Sequence, residues 1–386
     1  MRTIIFIIIS LVTLSIGASK DELYFKGGSE DFGIDLAHPE QGKIKLPVGS
    51  ANVSGIIELN GTIYGITKPQ YQGRNPIVFS FSLQKNLTTG FTTLPSQPGK
   101  TVSPAYGIIA DSTQAFCATY GKDSDGKLFS VKTAGANPEI KELGSPLKGE
   151  GIFCIAISNN RKTIYGILTP SNTFFTYNIT ASTFKIIKGA EIDSSSKSNA
   201  VSMHSGENVH LCKSLISDNS GRVYGSTGMG RIFRFDPATE SIAILKAELP
   251  YIQFRKATNR VESWARTADG TIYGGTSIDG ILFKLNPENG TVTNLGKPTH
   301  AGNITSLIVD GSALFGICGT DPEYSHLFKY DAENGGFEDL GILRFKNTLI
   351  NARHMSYSIA SMIKLTDGRI IFAEGDLLPN LIFWKK

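Results

Sequence analysis

No two of the four cysteines (Cys117, Cys154, Cys212 and Cys318) stand in a C-x-x-C pair, which excludes zinc-ribbon and thioredoxin-like redox motifs. Charge is sparse as well. Asp, Glu, Lys and Arg make up 19% of the 386 residues, and 38 basic against 34 acidic side chains leave a formal charge of only +4. With no dense Lys/Arg run, the chain lacks the electrostatic footprint of a nucleic-acid-binding protein. G-x-S-x-G, H-E-x-x-H and Walker A patterns are missing, so the sequence offers no serine-hydrolase elbow, zincin helix or nucleotide-cradling loop. Beyond the N-terminus no stretch is long and apolar enough to span a bilayer.

What the chain has instead is glycine, 41 residues of it, and 10% aromatics, a profile of many short strands joined by tight turns. The N-terminus reads MRTIIFIIISLVTLSIGAS. Arg2 forms a short positive region, Ile4 to Ile16 an apolar one, and Gly17, Ala18 and Ser19 supply small residues. Residues 1–19 are therefore expected to be a secretory signal peptide, with residues 20–386 forming one exported domain, extracellular or periplasmic. In that setting the cysteines have two readings, disulfide pairing or buried free thiols on strands. Sequons begin at Asn52, Asn60, Asn86, Asn178, Asn289 and Asn303 and matter only in a host that glycosylates.

Self-similarity organises the rest. The core TIYGIT (Thr62–Thr67) returns as QAFCAT, TIYGIL, RVYGST, TIYGGT, ALFGIC and RIIFAE, its third position falling at 64, 116, 165, 224, 273, 315 and 371. Units of roughly 40–50 residues fit propeller blades. An apolar run precedes each core, another follows, and a more polar run usually comes last, separated by Asn-Gly, Asp-Gly or Ser-Gly hairpin signals. The fold is therefore all-β: a seven-bladed β-propeller of four-stranded antiparallel blades, strands A to D counted outward from the channel. In the Tyr-Gly pair, both faces of the sheet are buried, and Gly is expected to let the adjacent sheet approach. The last unit ends at NLIFWKK after its third strand. An N-terminal strand should complete that blade, and Lys43–Leu46 in GKIKLPVG is the segment expected to do so.

Propeller topology brings the D-to-A and B-to-C connections to one mouth of the channel. Three D-to-A connections are longer than a turn requires: Lys188–Val209, Lys246–Glu262 and Gly341–Tyr357. Long loops on a compact scaffold are often functional. They carry His204, Tyr251, Arg255, Arg260, Glu262, Arg353, His354 and Tyr357. His210 starts the following A strand, and His300 lies in a shorter connection. The B-to-C loops add Lys68, Tyr71, Arg74, His326, Glu374 and Asp376. Basic residues exceed acids in the three long loops, which favours an anionic ligand. Each residue also has a bland reading as a solvated or hydrogen-bonded loop residue. His326 in YSHLFKY reads as bonding within its own blade, and Trp264 as core packing. His204 and His210, six apart, lack a fixed third ligand, so no metal site or cofactor is assigned and a channel metal is left open.

The unit DGTIYGGT…DGILFKLNPENG…LGKP, repeated seven times behind a signal peptide, resembles the secreted seven-bladed propellers. These include propeller-fold polysaccharide lyases of the ulvan and rhamnose–glucuronate type, and the streptogramin lyase type. The resemblance spans nearly the whole mature chain, but its motifs belong to the scaffold. It implies β-elimination on a uronate-containing polysaccharide or oligosaccharide. By residue type and predicted position at the mouth, and not by a matched catalytic motif, the base would be His210 or His354, the acid/base partner Tyr357 or Tyr251, and the carboxylate clamp Arg255 or Arg353. His204, Arg260, His300, Tyr71, Arg74 and Trp264 would contact substrate, and the chain is expected to act as a monomer. The competing expectation is a non-catalytic propeller that binds a glycan or a protein.

Overall fold

The computed structural model describes residues 32–37, 43–47, 49, 52–70, 74–96, 100–121, 124–134, 137–192, 211–227, 230–252, 259–320, 323–347, 352–375 and 379–385. Among them there is no helix, hence none long and apolar enough to cross a membrane.

Strand β1 (Phe32–Asp35) comes first. Blade one is β2 (Asn52–Leu59), β3 (Thr62–Lys68), β4 (Ile77–Ser82) and β5 (Leu87–Thr93). Blade two has a divided inner strand, β6 (Ser103–Pro104) and β7 (Ile109–Ala110), followed by β8 (Ala115–Tyr120), β9 (Leu128–Ala134) and β10 (Asn137–Gly144). Blade three is β11 (Gly151–Ile157), β12 (Thr163–Thr169), β13 (Thr173–Asn178) and β14 (Thr183–Glu191). Blade four is β15 (Ile216–Ser217), β16 (Val223–Ser226), β17 (Arg231–Asp236) and β18 (Ser241–Glu248). Blade five is β19 (Val261–Arg266), β20 (Ile272–Thr276), β21 (Leu282–Leu285) and β22 (Val292–Gly296). Blade six is β23 (Ile304–Asp310), β24 (Ala313–Cys318), β25 (His326–Asp331) and β26 (Phe337–Ile342). A hairpin, β27 (Arg344–Asn347) and β28 (Ala352–Met355), precedes blade seven, β29 (Ile359–Lys364), β30 (Ile370–Glu374) and β31 (Asn380–Trp384).

The ring closes. β1 pairs antiparallel with β31, Phe32 opposite Phe383 and Asp35 opposite Asn380, so the N-terminal segment supplies the fourth strand of blade seven. That strand is Phe32–Asp35 and not Lys43–Leu46. Ile44 is 38% exposed, and only Leu46 of that segment turns inward, its amide donating to the Leu36 carbonyl (2.8 Å). The decisive feature is Gly33. A Cβ there would lie 2.0 Å from the Phe345 ring, so the strand beside β27 must present a residue without a side chain. β27 pairs with β1 in parallel, giving a six-stranded sheet ordered β28-β27-β1-β31-β30-β29. The Gly341–Tyr357 connection is thus largely a hairpin, where the sequence suggested a loop.

The buried side chains form seven clusters, one in each space between neighbouring blades. An open row of seven sheets would have one fewer such space, so the packing as well as the pairing requires a closed ring. The Tyr-Gly motif divides between neighbouring clusters. Ile272 packs with Tyr224 and Val261 toward blade four, and Tyr273 with Leu307 and Phe328 toward blade six. The glycine has a more local cause than expected. Gly65, Gly166, Gly225, Gly274 and Gly316 stand directly opposite Phe79, Phe175, Phe233, Phe283 and Phe328 on the third strand of the same blade. At each, an added Cβ would fall 2.1–2.6 Å from the ring. The ring of the partner strand covers the glycine, and the neighbouring sheet packs on that ring. Cys117 holds this slot opposite Phe129. All four thiols are free and buried; burial pushes Cys117 up to about 12 and Cys318 to about 11, which keeps these two unreactive at neutral pH.

Around the channel, inner strands of adjacent blades are tied mostly by side chains. Ser214 Oγ donates to Val261 O (3.0 Å), Ser263 Oγ to Ile304 O (2.6 Å) and Thr305 Oγ1 to Ile359 O (2.9 Å). Ser361 Oγ accepts from Ile56 N (3.4 Å), linking blade seven to blade one. Between β6 and β7 the chain leaves its own sheet. Tyr106 N donates to Phe153 O (2.8 Å) and Tyr106 O accepts from Ile155 N (3.0 Å), which brings the Tyr106 side chain to the channel wall.

Candidate functional site

Inner strands begin, and second strands end, at one mouth of the channel. There a cavity of about 550 Å³ opens, lined by Asn52, Lys68, Tyr106, Lys213, Glu262 and Trp264, with Ile56, Ile108 and Ile155 also in its wall. Its lining has a recurrent cause. Five inner strands carry a register irregularity near their start, between Val53 and Gly55, Ile152 and Cys154, Val261 and Ser263, Ile304 and Ser306, and Ile359 and Ser361. Each leaves one residue out of the pairing, and such bulges re-aim side chains. Four of the five skipped residues, Ser54, Glu262, Thr305 and Ala360, line the cavity; the fifth is Phe153.

In blade five this slot holds a carboxylate. Glu262 Oε1 accepts from Arg260 Nε (2.9 Å), and Oε2 is bonded to Lys213 Nζ. The side chains of Arg260 and Glu262 are only 3% and 4% exposed, and Lys213 18%. Lys213 Nζ also lies 4.5 Å from the centroid of the Tyr106 ring, a cation–π arrangement. Arg260, expected to touch ligand from a loop, is buried behind Glu262. Lys213 and Tyr106 were not singled out by sequence. The signal for Lys213 is a single charge in the inner-strand run HLCKSLIS.

A second polar group sits where blade seven meets the mouth. Glu374, fully buried at the end of β30, accepts from Asn380 Nδ2 and faces His354 Nε2 at 3.1 Å. The His354 ring packs on Phe345, centroids 5.1 Å apart. Arg353 lies beside it on β28, its backbone paired with Lys346. Tyr357 is 38% exposed and stacks on Tyr324, centroids 4.4 Å apart, with the two hydroxyls at 3.2 Å.

The third group belongs to blade six. His326 Nδ1 lies 3.2 Å from Asp339 on the fourth strand of its own sheet, as the bland reading expects, and His300 packs edge-on against its ring (5.3 Å). Burial pushes the Asp339 carboxyl up, but the His326 hydrogen bond, the Gly341 amide and the charges of His326 and His300 outweigh it and hold the group below its ordinary value. Tyr251 is 42% exposed and Arg74 is exposed. Trp264 packs as its core reading expects, its ring meeting Phe283 edge-on (5.5 Å) and its indole N–H donating to Ser214 O (3.2 Å), and it also lines the cavity. His204, His210, Arg255, Tyr71 and Asp376 lie outside the described residues. Among the described residues, no three His, Cys, Asp or Glu side chains are grouped to hold a metal ion.

No family model and no curated protein matches the chain. Solved structures do. A streptogramin B lyase is similar with a TM-score of 0.62 at 10% identity, covering 92% of this chain and 100% of its own. A catalytically inactive histidine-to-alanine variant of virginiamycin B lyase from Staphylococcus aureus, with quinupristin, gives 0.61 at 12%, covering 92% and 100%. The extracellular domain of the BT4673 one-component system of B. thetaiotaomicron gives 0.57 at 16%, covering 92% of this chain and 40% of that one. At such identities the likeness is one of fold. The neighbours include both lyases and an extracellular domain of a one-component system, so the likeness does not choose between catalysis and binding.

Proposed function

We propose that this propeller acts outside the cell on a carboxylate-bearing oligosaccharide or polysaccharide at the channel mouth, and cleaves it by β-elimination. The observation that carries the reading is the His354–Glu374 pair. A buried carboxylate facing Nε2 at 3.1 Å holds the ring of a mouth histidine in place, the arrangement of a general base and its orienting group. In this reaction the proton α to the uronate carboxylate passes to His354. The C–H electron pair becomes the C4=C5 double bond, the C4–O bond breaks, and Tyr357 or Tyr251 protonates the leaving oxygen. Arg353 or Arg255 neutralises the carboxylate so that the α proton becomes acidic; His210 is the other candidate base. That a histidine-to-alanine change inactivates virginiamycin B lyase supports looking to a mouth histidine here.

The test is a scan of uronate-containing polysaccharides for the ultraviolet absorbance of an unsaturated uronate. His354→Ala is expected to lower the rate roughly 10²–10⁴-fold, the usual contribution of a general base, while melting like the parent. A second reading, a binding propeller, is favoured by the ion pairs that already hold Lys213 and Arg260 and by the one-component-system extracellular domain among the structural neighbours. Polysaccharide binding with no absorbance rise and no loss of chain length would select it.

A further inference from the structure

The channel cavity holds a charge cluster that the elimination step does not use. Lys213 and Glu262 line it, and Lys68 adds a second lining cation. Behind Glu262 stands the buried guanidinium of Arg260. Glu262 is the one carboxylate among the described lining residues, and its two oxygens are divided between Arg260 and Lys213. Charges this far removed from water are costly unless paired. Among the described lining residues Lys68 and Lys213 outnumber the single carboxylate, so the cavity favours an anion. The Lys213 ammonium has three N–H donors. Ile56, Ile108 and Ile155, packed in the spaces between blades, add apolar wall on one side of the cavity. Tyr106 and Trp264 give the wall aromatic surface, and the volume suits a small ligand.

We infer that the upper channel is a subsite for the acidic end of a saccharide, entered end-on, with the ligand carboxylate on Lys213 and its sugar ring against Tyr106 and Trp264. The choice of a uronate as ligand rests on the reading under Proposed function; the site itself rests on the cluster. Glu262 then acts as a competitor for the same ammonium, which gives the two residues opposite effects on affinity.

The probe is D-glucuronate, with D-glucose as neutral control, titrated into the mature chain at low salt and followed by calorimetry and tryptophan emission. Emission is informative because the chain has two tryptophans, and the other, Trp384, lies in the core between blades six and seven. Glucuronate should bind and shift the emission, and glucose should do neither. Lys213→Met and Lys213→Gln should each weaken glucuronate about tenfold or more, and Glu262→Gln should tighten it several-fold. An oligosaccharide with uronate only at internal positions should bind no better than glucose.

Equal response to glucose and glucuronate, an unchanged emission, or wild-type affinity in a folded Lys213 variant each overturns the proposal; tight binding of internal uronates overturns its end-on geometry. Glu262→Gln removes the partner of buried Arg260. If that variant does not fold, the Lys213 variants and the emission of the unmodified protein still decide the matter. Failure of the two readings is separable. Lys213-dependent glucuronate binding without elimination of any polysaccharide sinks the lyase reading alone. Elimination that is lost in His354→Ala but unaffected by Lys213→Met sinks the subsite alone.

Discussion

In the middle of each regular blade one contact recurs: a glycine on the second strand under the phenylalanine opposite it, Gly65 under Phe79, Gly274 under Phe283, Gly316 under Phe328. At the channel mouth the backbone repeats but the side chains do not. The skipped residue of the inner strand is Ser54, Thr305 or Ala360 in three blades and Glu262 in the fifth. The slot is the same and the chemistry differs. Packing between blades tolerates little variation, because both faces of every sheet are buried, whereas the skipped position faces the cavity and accepts a small side chain or, where Arg260 and Lys213 are at hand to pair it, a carboxylate.

The largest effect should come from breaking the recurrent contact. Phe283 is fully buried in the space between blades four and five, and Phe283→Ala is expected to cost about 3–5 kcal/mol, read from the urea midpoint. A smaller loss is expected for Gly274→Ala. The new Cβ would sit 2.2 Å from Phe283 Cζ, and forcing the ring aside should cost about 1–3 kcal/mol. Combining Gly274→Ala with Phe283→Leu sharpens the comparison. If the ring is what the glycine serves, the double variant should lose clearly less than the sum of the two single losses. Strict additivity would mean that the glycine is needed for some other reason.

The same contrast explains what could be read from the sequence. The Tyr-Gly and Phe positions recur with the blade period, so the number of blades, the strand order and the split last blade were all legible. The identity of the closing strand was not. Lys43–Leu46 has the look of a fourth strand, but the choice of Phe32–Asp35 depends on Phe345 needing a glycine beside it, a contact between residues more than three hundred positions apart. At the mouth, residue types and loop lengths marked His354 and Glu262. Their partners Glu374 and Lys213 come from other elements of the ring, and pairing across a closed circle leaves no local pattern. Arg260 shows the converse: it counts as a loop cation in sequence, yet it is consumed by a neighbour two residues away.

The smallest predicted effect lies in the His326–Asp339 pair of blade six. The Asp339 carboxyl is held below its ordinary 3.8, so the folded state binds its proton less readily than the unfolded chain. The unfolded chain therefore carries the extra proton between the folded value and 3.8, and stability rises with pH across that window. The contribution is fully present above it and is lost as the pH falls through the folded value. The Asp339 side chain is 42% exposed, and solvent screening keeps such a pair below about 1 kcal/mol. Melting temperatures of the parent and of Asp339→Asn, followed from neutral pH into acid, should therefore converge at the acid end, the parent falling more steeply. Parallel curves would show that His326 contributes nothing through Asp339 and packs only against His300. The mouth of blade six would then be built, like the blade interiors, by ring contacts alone.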